Sequence, residues 1–301
     1  MDMSTWPKSE AKQLVEEIDR LDLHRNVFEL DTLGLTVVDA SKTQAAPLAD
    51  RAFERICELI EERTGTRPDV ETGSTHVDVV VPSLYHVIFD DPVFEQLLMH
   101  PLALALATYL VGRRCTYSGS EVFMKGPADR KTGNALGIGA SSEGLQLGLH
   151  SDNVVFPEPF APYAQLCNVT WLLSDYTKEA GALAFVPGSH KLCRNPHDGE
   201  AAEQAVPIEA PKGSLVVWHA NTWHGSFPRL HPGLRTSLAF ALAREYARPH
   251  EPDRSALTPE MLERNDRRFA RLMGCDVLEW GQEGPDYDKL MRRPFRVSTM
   301  T

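Results

Sequence analysis

The sequence predicts a mainly β protein with flanking α-helices, its strands antiparallel and arranged as a sandwich or barrel. Two observations predict it. From Arg114 onward the short runs "CTYSGSEVFMKG", "LQLGLHSD", "AQLCNVTWLL", "ALAFVPGS", "GSLVVWHA" and "RTSLAFAL" follow one another, separated by Gly, Pro, Asn and Asp clusters. Many short strands without intervening helices pack as two antiparallel layers. Before Arg114 the apolar residues instead recur at helical spacing, which supplies the flanking helices.

The elements follow in order. Ser9 is placed to cap a first helix whose apolar positions are Ala11, Leu14, Val15, Ile18 and Leu21. "LGLTVVDA", Leu33 to Ala40, reads as a strand. A second amphipathic helix covers about Leu48 to Arg63, with Ala49, Ala52, Phe53, Ile56, Leu59 and Ile60 on one stripe and a solvated charged face opposite. "PLALALATYL", Pro101 to Leu110, is apolar nearly all round, starts with proline in the first turn and stops near Gly112, so it is expected to be buried. "KTGNALGIGASSEG", Lys131 to Gly144, reads as a mobile loop. The tail from Leu257 reopens with one helix, capped by Thr258 with Pro259 first, then Leu262, Phe269 and Met273 before Gly274. No internal repeat or linker is visible. The expectation is a single domain over 1–301, with 1–112 mostly helical, 113–248 the β core and 249–301 a helical tail.

Composition excludes several classes of function. The chain has 301 residues, 42% hydrophobic and 24% charged, an ordinary globular balance. A net charge of -11 argues against a nucleic-acid partner, which calls for a basic face. Five cysteines without CxxC spacing suit reduced thiols and a cytoplasmic location. The polar start "MDMSTWPKSEAKQLVEEIDR" lacks a signal-peptide core, and no run of about 18 apolar residues exists to span a membrane.

The chemistry is expected around "LGLHSDNVVFPEPF". In an extended strand, residues two apart share a face, so His150 and Asp152 can converge on one point, such as a metal ion. A third ligand has to come from a later strand. His219 in "VVWHAN" and His224 in "NTWHGSFP" both follow a tryptophan. His224 is preferred because Arg235, in "GLRTSLAF", stands at the start of the next strand, where it could anchor an acidic co-substrate beside the metal. Two histidines and one carboxylate occupy one face of an octahedron and leave three positions open, which suits non-haem Fe(II) oxygenases. Arg235 offers a rigid fork of donors that matches a carboxylate. Ser237 shares its strand face and could add a hydrogen bond; the plain alternatives are a surface ion pair and a simple strand hydroxyl.

The pieces "HSD", "WLLSDYTKEAGALAFVPGSHK", "WHGSFP" and "LRTSLAF" resemble the phytanoyl-CoA dioxygenase family of Fe(II)- and 2-oxoglutarate-dependent oxygenases, over about Tyr117 to Tyr246. "GALAFVPGSHK", Gly181 to Lys191, is the most diagnostic run. The resemblance implies a double-stranded β-helix, the cupin-like jelly roll. It also implies that His150, Asp152 and His224 bind iron, that Arg235 pairs with the distal carboxylate of 2-oxoglutarate, and that Trp171 lines the co-substrate site. With O2, such an enzyme hydroxylates or desaturates a small organic metabolite or acyl substrate and releases succinate and CO2. Asp152 fills the position that halogenases of this superfamily leave to chloride. Ala241 stands where nucleic-acid demethylases place a second arginine. Two departures stand out: Gly148 where the family often has glutamine, with Gln146 two residues further back, and Leu183 where some members have threonine.

Substrate contacts are expected from Phe156, Phe160, Gln146 and Met124, with Tyr163 as a further apolar wall. The segments Lys131 to Gly144 and Val154 to Pro162 are expected to form a lid. Arg113, Arg114, Lys125, Arg130 and Lys131 read as a basic cluster that could meet an anionic substrate. Other classes with a similar ligand set are a cupin-like metal-binding protein and a zinc hydrolase; neither accounts for "VPGSHK" together with Arg235. The expected partner is a small molecule, with no nucleic acid and no membrane, and the oligomeric state is not legible.

Overall fold

The computed structural model describes residues 8–73, 84, 86–127, 147–153, 156–247 and 256–275. The chain forms two compact units, Met1–Pro252 and Asp253–Thr301.

In the first unit the helices come first. α1 (Lys8–Arg20) buries Leu14 and Ile18, as its period predicts, although it already includes Ser9 rather than being capped by it. α2 (His24–Leu33) was not expected. It carries no clean apolar stripe and is closed by Gly34, whose amide returns to the Leu30 carbonyl. The predicted strand therefore shortens to β1 (Leu35–Val38). After the single turn α3 (Ala40–Thr43), α4 (Ala46–Thr64) buries Ala49, Ala52, Ile56, Leu59 and Ile60 along the predicted stripe. α5 (Pro92–Leu98) and α6 (Pro101–Val111) each start with proline, and in α6 every residue after Pro101 is buried. That burial explains the apolar sequence of α6. Among the described residues, no single helix is long and apolar enough to cross a membrane.

The strands are β2 (Thr116–Lys125), β3 (Leu166–Leu172), β4 (Leu183–Phe185), β5 (Val206–Pro207), β6 (Leu215–His219), β7 (His224–Ser226) and β8 (Arg235–Ala243). They form two sheets, a five-stranded one in the order β1-β6-β3-β8-β2 and a three-stranded one in the order β5-β4-β7. All pairings are antiparallel. The result is the predicted mainly β fold with flanking helices, in two antiparallel sheets.

β3 runs through the middle of the large sheet and is buried along its whole length. Its side chains alternate between two environments. Trp171 turns to the helices, its indole N–H donating to the Leu97 carbonyl at 3.1 Å. Asn168, Thr170 and Leu172 turn the other way, toward the small sheet. Leu172 there joins Leu35, Val216, Trp218, Phe185, Ala182, Ile208 and Tyr176 in the core between the sheets. Full burial stabilises each large apolar side chain by about 1.5–3 kcal/mol, so this core fixes how the sheets face each other.

Two expectations about elements are corrected. "LQLGLHSD" does not form a named strand: within described residues 147–153 it makes one β-bridge, His150 to His224. The tail, in the second unit, is two short helices rather than one, α7 (Pro259–Arg264) and α8 (Arg267–Leu272). Thr258 caps the first as expected, but the Asp266 carboxylate accepts from the amides of Arg268 and Phe269 and starts a new helix there. The loop Lys131–Gly144, Gln146 and Val154–Val155 lie outside the described residues, as do Arg130 and the residues from 276 on.

Because α6 is buried on all sides, truncating it leaves a cavity that its neighbours cannot fill. Leu106→Ala is expected to lower unfolding stability by about 2–5 kcal/mol, measured by urea unfolding; a loss below about 1 kcal/mol would contradict the packing described.

Candidate metal centre

His150 and His224 face each other across the β-bridge, each amide donating to the other's carbonyl at 2.9 Å. Two residues on, the Asp152 amide donates to the Ala220 carbonyl at 2.9 Å. Asn153 is pinned to Asn221 by a side-chain hydrogen bond. The segment is thus stitched to the β6–β7 turn and to β7, and its side chains at 150 and 152 converge as the dipeptide spacing predicts. Ligand atoms of His150, Asp152 and His224 lie within 4.8 Å of one another. Asp152 Oδ1 is 3.7 Å from His150 Nε2 and 3.4 Å from His224 Nε2.

The surroundings orient all three. Each imidazole Nδ1 lies against a backbone carbonyl, Gly148 at 2.8 Å for His150 and Thr222 at 3.0 Å for His224. A carbonyl only accepts, so Nδ1 carries the proton and Nε2 presents its lone pair to the shared point. Burial pushes the His224 pKa down, opposed by the Asp152 charge, and favours the neutral ring. Asp152 Oδ2 accepts from Asn168 Nδ2 at 2.6 Å and from Trp218 Nε1 at 2.9 Å, which leaves Oδ1 turned to the histidines. Two imidazole nitrogens and one carboxylate oxygen gathered around a point are a donor set that fits a divalent metal with open positions.

His219, the rival ligand, is excluded by alternation along β6. Trp218 faces the cluster, so His219 faces away; its Nδ1 accepts from the Asn221 amide at 3.0 Å. Burial pushes its pKa down to about 3, the mark of a neutral structural imidazole, and it packs against buried His190 with ring centroids 5.5 Å apart.

A second polar site lies on the same face of the large sheet. Arg235 is 4% exposed; its Nη1 donates to the Tyr176 hydroxyl at 2.8 Å, while its Nε is buried without a partner. Lys125 is its register partner across β2 and β8. Lys125 Nζ donates to Ser226 Oγ at 2.7 Å and to the Phe227 carbonyl at 2.6 Å. Burial, then the Arg235 charge, push its pKa down to about 7. Among the described residues, no carboxylate ion-pairs with either cation. Ser237 Oγ and Thr170 Oγ1, on the same sheet face, are buried without partners as well. Buried polar atoms are normally satisfied, so an open Arg235 Nε and an open Ser237 hydroxyl, next to a Lys125 that no carboxylate among the described residues pairs with, fit an anionic ligand carrying several oxygens.

A model of the phytanoyl-CoA dioxygenase (PhyH) family matches residues 31–237, a span that includes His150, Asp152, His224, Lys125, Arg235 and Ser237. The chain belongs to the phytanoyl-CoA dioxygenase family. "Dioxygenase af480" of Aspergillus fumigatus is 31% identical over 162 residues, 53% of this chain and 46% of the fungal protein. "Phytanoyl-CoA dioxygenase 1" of Oryza sativa subsp. japonica is 33% identical over 106 residues, 30% of this chain and 36% of the rice protein. The chain therefore spans about half the length, or less, of these curated relatives. Among solved structures, the epimerase SnoN in complex with Fe3+, alpha ketoglutarate and nogalamycin RO is similar over 77% of this chain and 88% of its own, at 19% identity and TM-score 0.54. This likeness shows the fold, the cupin-like jelly roll of double-stranded β-helix type.

Within this family frame several expected residues change place. Trp171, expected beside the co-substrate, does not share a sheet face with Arg235. It is fully buried on the helix side of β3, edge-on to His100 at 5.0 Å, because its odd spacing from Asn168 sends it to the opposite face. Met124 pairs with Thr236 rather than Arg235, so it points to the opposite face from the polar site. Tyr163 is half exposed under the Arg244 guanidinium, 4.9 Å from its ring centroid. Phe160 is buried, with its amide on the Cys193 carbonyl, and Phe156 is partly exposed beside Asn153. The basic cluster divides, since Arg114 pairs with Glu245 beyond the start of β2 and Lys125 ends that strand. Lys125, read from the sequence as part of the basic cluster, stands beside Arg235 by strand register, and Tyr176 is the neighbour of Arg235 that sequence reading passed over.

The Gly148 departure also has a structural reason. Its φ of +62 turns its carbonyl onto the His150 ring, a conformation in which glutamine would be strained. Gly225 is more constrained still, because a Cβ there would sit 2.0 Å from the Leu147 carbonyl oxygen.

Two outcomes follow for the site. Gly225→Ala should push the 147–150 backbone off β7 and weaken Co(II) binding at least tenfold, read by visible absorption titration; unchanged affinity would contradict the contact. The unfolded chain holds the Lys125 proton up to about pH 10.4, the folded one only to about 7. Between these the unfolded state binds more protons, so Lys125 makes stability rise with pH across that window and penalises it in full below. Urea unfolding from pH 6 to 9.5 should show a smaller rise for Lys125→Met than for wild type; identical slopes would contradict a depressed Lys125.

Proposed function

We propose that the chain is an Fe(II)- and 2-oxoglutarate-dependent oxygenase that hydroxylates or desaturates a small organic metabolite or acyl substrate. The observation that supports this best is that two sites face the same side of the large sheet, the cluster of His150, Asp152 and His224 and the pair Arg235 and Lys125, which no carboxylate among the described residues ion-pairs. His150, Asp152 and His224 would hold Fe(II), and Arg235 with Ser237 and Lys125 would hold the distal carboxylate of 2-oxoglutarate. The chemistry this pair supplies when bound is oxidative decarboxylation of the 2-oxo acid by O2, giving succinate, CO2 and an oxidised substrate.

The chain's own residues do the rest. The Gly148 and Thr222 carbonyls keep both imidazoles in the ligating tautomer. Asn168 and Trp218 hold Asp152 with one oxygen free. Arg235 contributes a fork of donors in a water-poor setting, where a charge-assisted hydrogen bond is stronger than at the surface. A zinc hydrolase or cupin-like binder would leave the buried Arg235 Nε and Ser237 hydroxyl without a partner.

The test is a set of variants read in two ways. His224→Ala and Asp152→Ala are expected to lose Fe(II) binding and substrate-dependent succinate formation while remaining folded. His219→Ala should lose stability, by about 1–3 kcal/mol for an unmatched buried partner, and keep Fe(II) affinity. Loss of iron in His219→Ala with retention in His224→Ala would overturn the ligand assignment. A screen of amine, hydroxy-acid and acyl thioester candidates for coupled succinate release then reports the substrate class.

A further inference from the structure

We infer that Tyr176 is a binding and positioning residue of the co-substrate pocket: it aims the Arg235 guanidinium and donates its own hydroxyl proton to the distal carboxylate of the 2-oxo acid. This rests on the reading of the pocket given above and adds a member to it.

Three observations carry it. Tyr176 is 1% exposed, and its backbone is fixed on both sides, its amide donating to the Ala210 carbonyl at 2.9 Å and its carbonyl accepting from the Ala210 amide at 3.1 Å. The backbone that carries the ring is thus held in place. Second, the ring and hydroxyl both engage the same cation. Arg235 Cζ lies 5.0 Å from the ring centroid, and Nη1 donates to the hydroxyl oxygen at 2.8 Å. A guanidinium stacked on an aromatic face and tethered at one nitrogen has its remaining donors set in direction. Third, the hydroxyl oxygen accepts that bond, so its O–H points elsewhere, and it has no acceptor among the described residues. The buried phenol and the Arg235 Nε, which is also without a partner, are two donors on side chains hydrogen-bonded to each other that an incoming carboxylate group would satisfy.

The consequence is selective. A 2-oxo acid without a distal carboxylate, such as pyruvate, can chelate the metal and never reaches Tyr176. 2-Oxoglutarate reaches it. Removing the hydroxyl should therefore weaken 2-oxoglutarate and spare pyruvate, whereas a merely structural role would weaken both or neither.

The experiment measures anaerobic dissociation constants of 2-oxoglutarate and pyruvate for Mn(II)-loaded wild type and Tyr176→Phe, with Mn(II) affinity and thermal melting alongside. Expected is a loss of about tenfold to a hundredfold for 2-oxoglutarate, the range for a hydrogen bond to a charged group, with pyruvate and Mn(II) affinities unchanged. Equal 2-oxoglutarate affinity in the two proteins, or a parallel loss of pyruvate, overturns the inference while leaving the oxygenase reading intact. Wild type that binds Mn(II) but no 2-oxoglutarate overturns both. Should Tyr176→Phe not fold, wild type labelled with 13C at tyrosine Cζ and loaded with Zn(II) is used. A tyrosine resonance that shifts with 2-oxoglutarate but not with pyruvate supports the assignment, and no such shift overturns it.

Discussion

The Asp152 carboxylate has to serve two sheets at once, and much of the architecture follows from that. One oxygen belongs to the large sheet, where Asn168 on β3 and Trp218 on β6 donate to it. The other faces His224 on β7 of the small sheet and His150 on the segment bridged to it. Neither half of the arrangement would hold alone. A carboxylate taken out of water is expensive unless its lone pairs are met, and two imidazoles with their Nε2 atoms turned to it fit a cation between them. The apolar core of Leu172, Phe185, Val216 and Trp218 sets the spacing of the sheets, and the Asp152 link makes that spacing usable.

The same reasoning covers the other end of the pocket. Arg235 and Lys125 stand side by side on adjacent strands in a mostly buried setting, where like charges raise each other's cost. A fold does not gain stability from such a pair. It keeps the pair as a charge waiting for a partner, and the proposed dicarboxylate repays the cost on binding. Function and instability thus share residues, with Tyr176 holding the arrangement open from one side.

Much of this was legible in the sequence because it depends on period and spacing. The His-x-Asp spacing, the apolar period of α4, the all-round apolar α6 and the β runs after Arg114 all follow from backbone geometry. What was not legible depends on register between strands. Whether Trp171 and Met124 face helices or pocket is decided by counting from Asn168 and Arg235, and that count is available only once the strands are paired. α2 was missed because its surroundings, rather than a stripe of its own, keep it helical. The tail helix was read as one because Asp266 looks like any polar residue in a helical period, while its side chain makes a better cap than a middle turn.

The central claim is that the clustered ligands and the cationic pocket serve one bidentate 2-oxo acid on one iron. Anaerobic titration of the Fe(II)-loaded protein with 2-oxoglutarate tests it most directly. A weak visible charge-transfer band is expected to grow to one equivalent of 2-oxoglutarate and to require both components. Iron binding without any such band at saturating 2-oxoglutarate would contradict it.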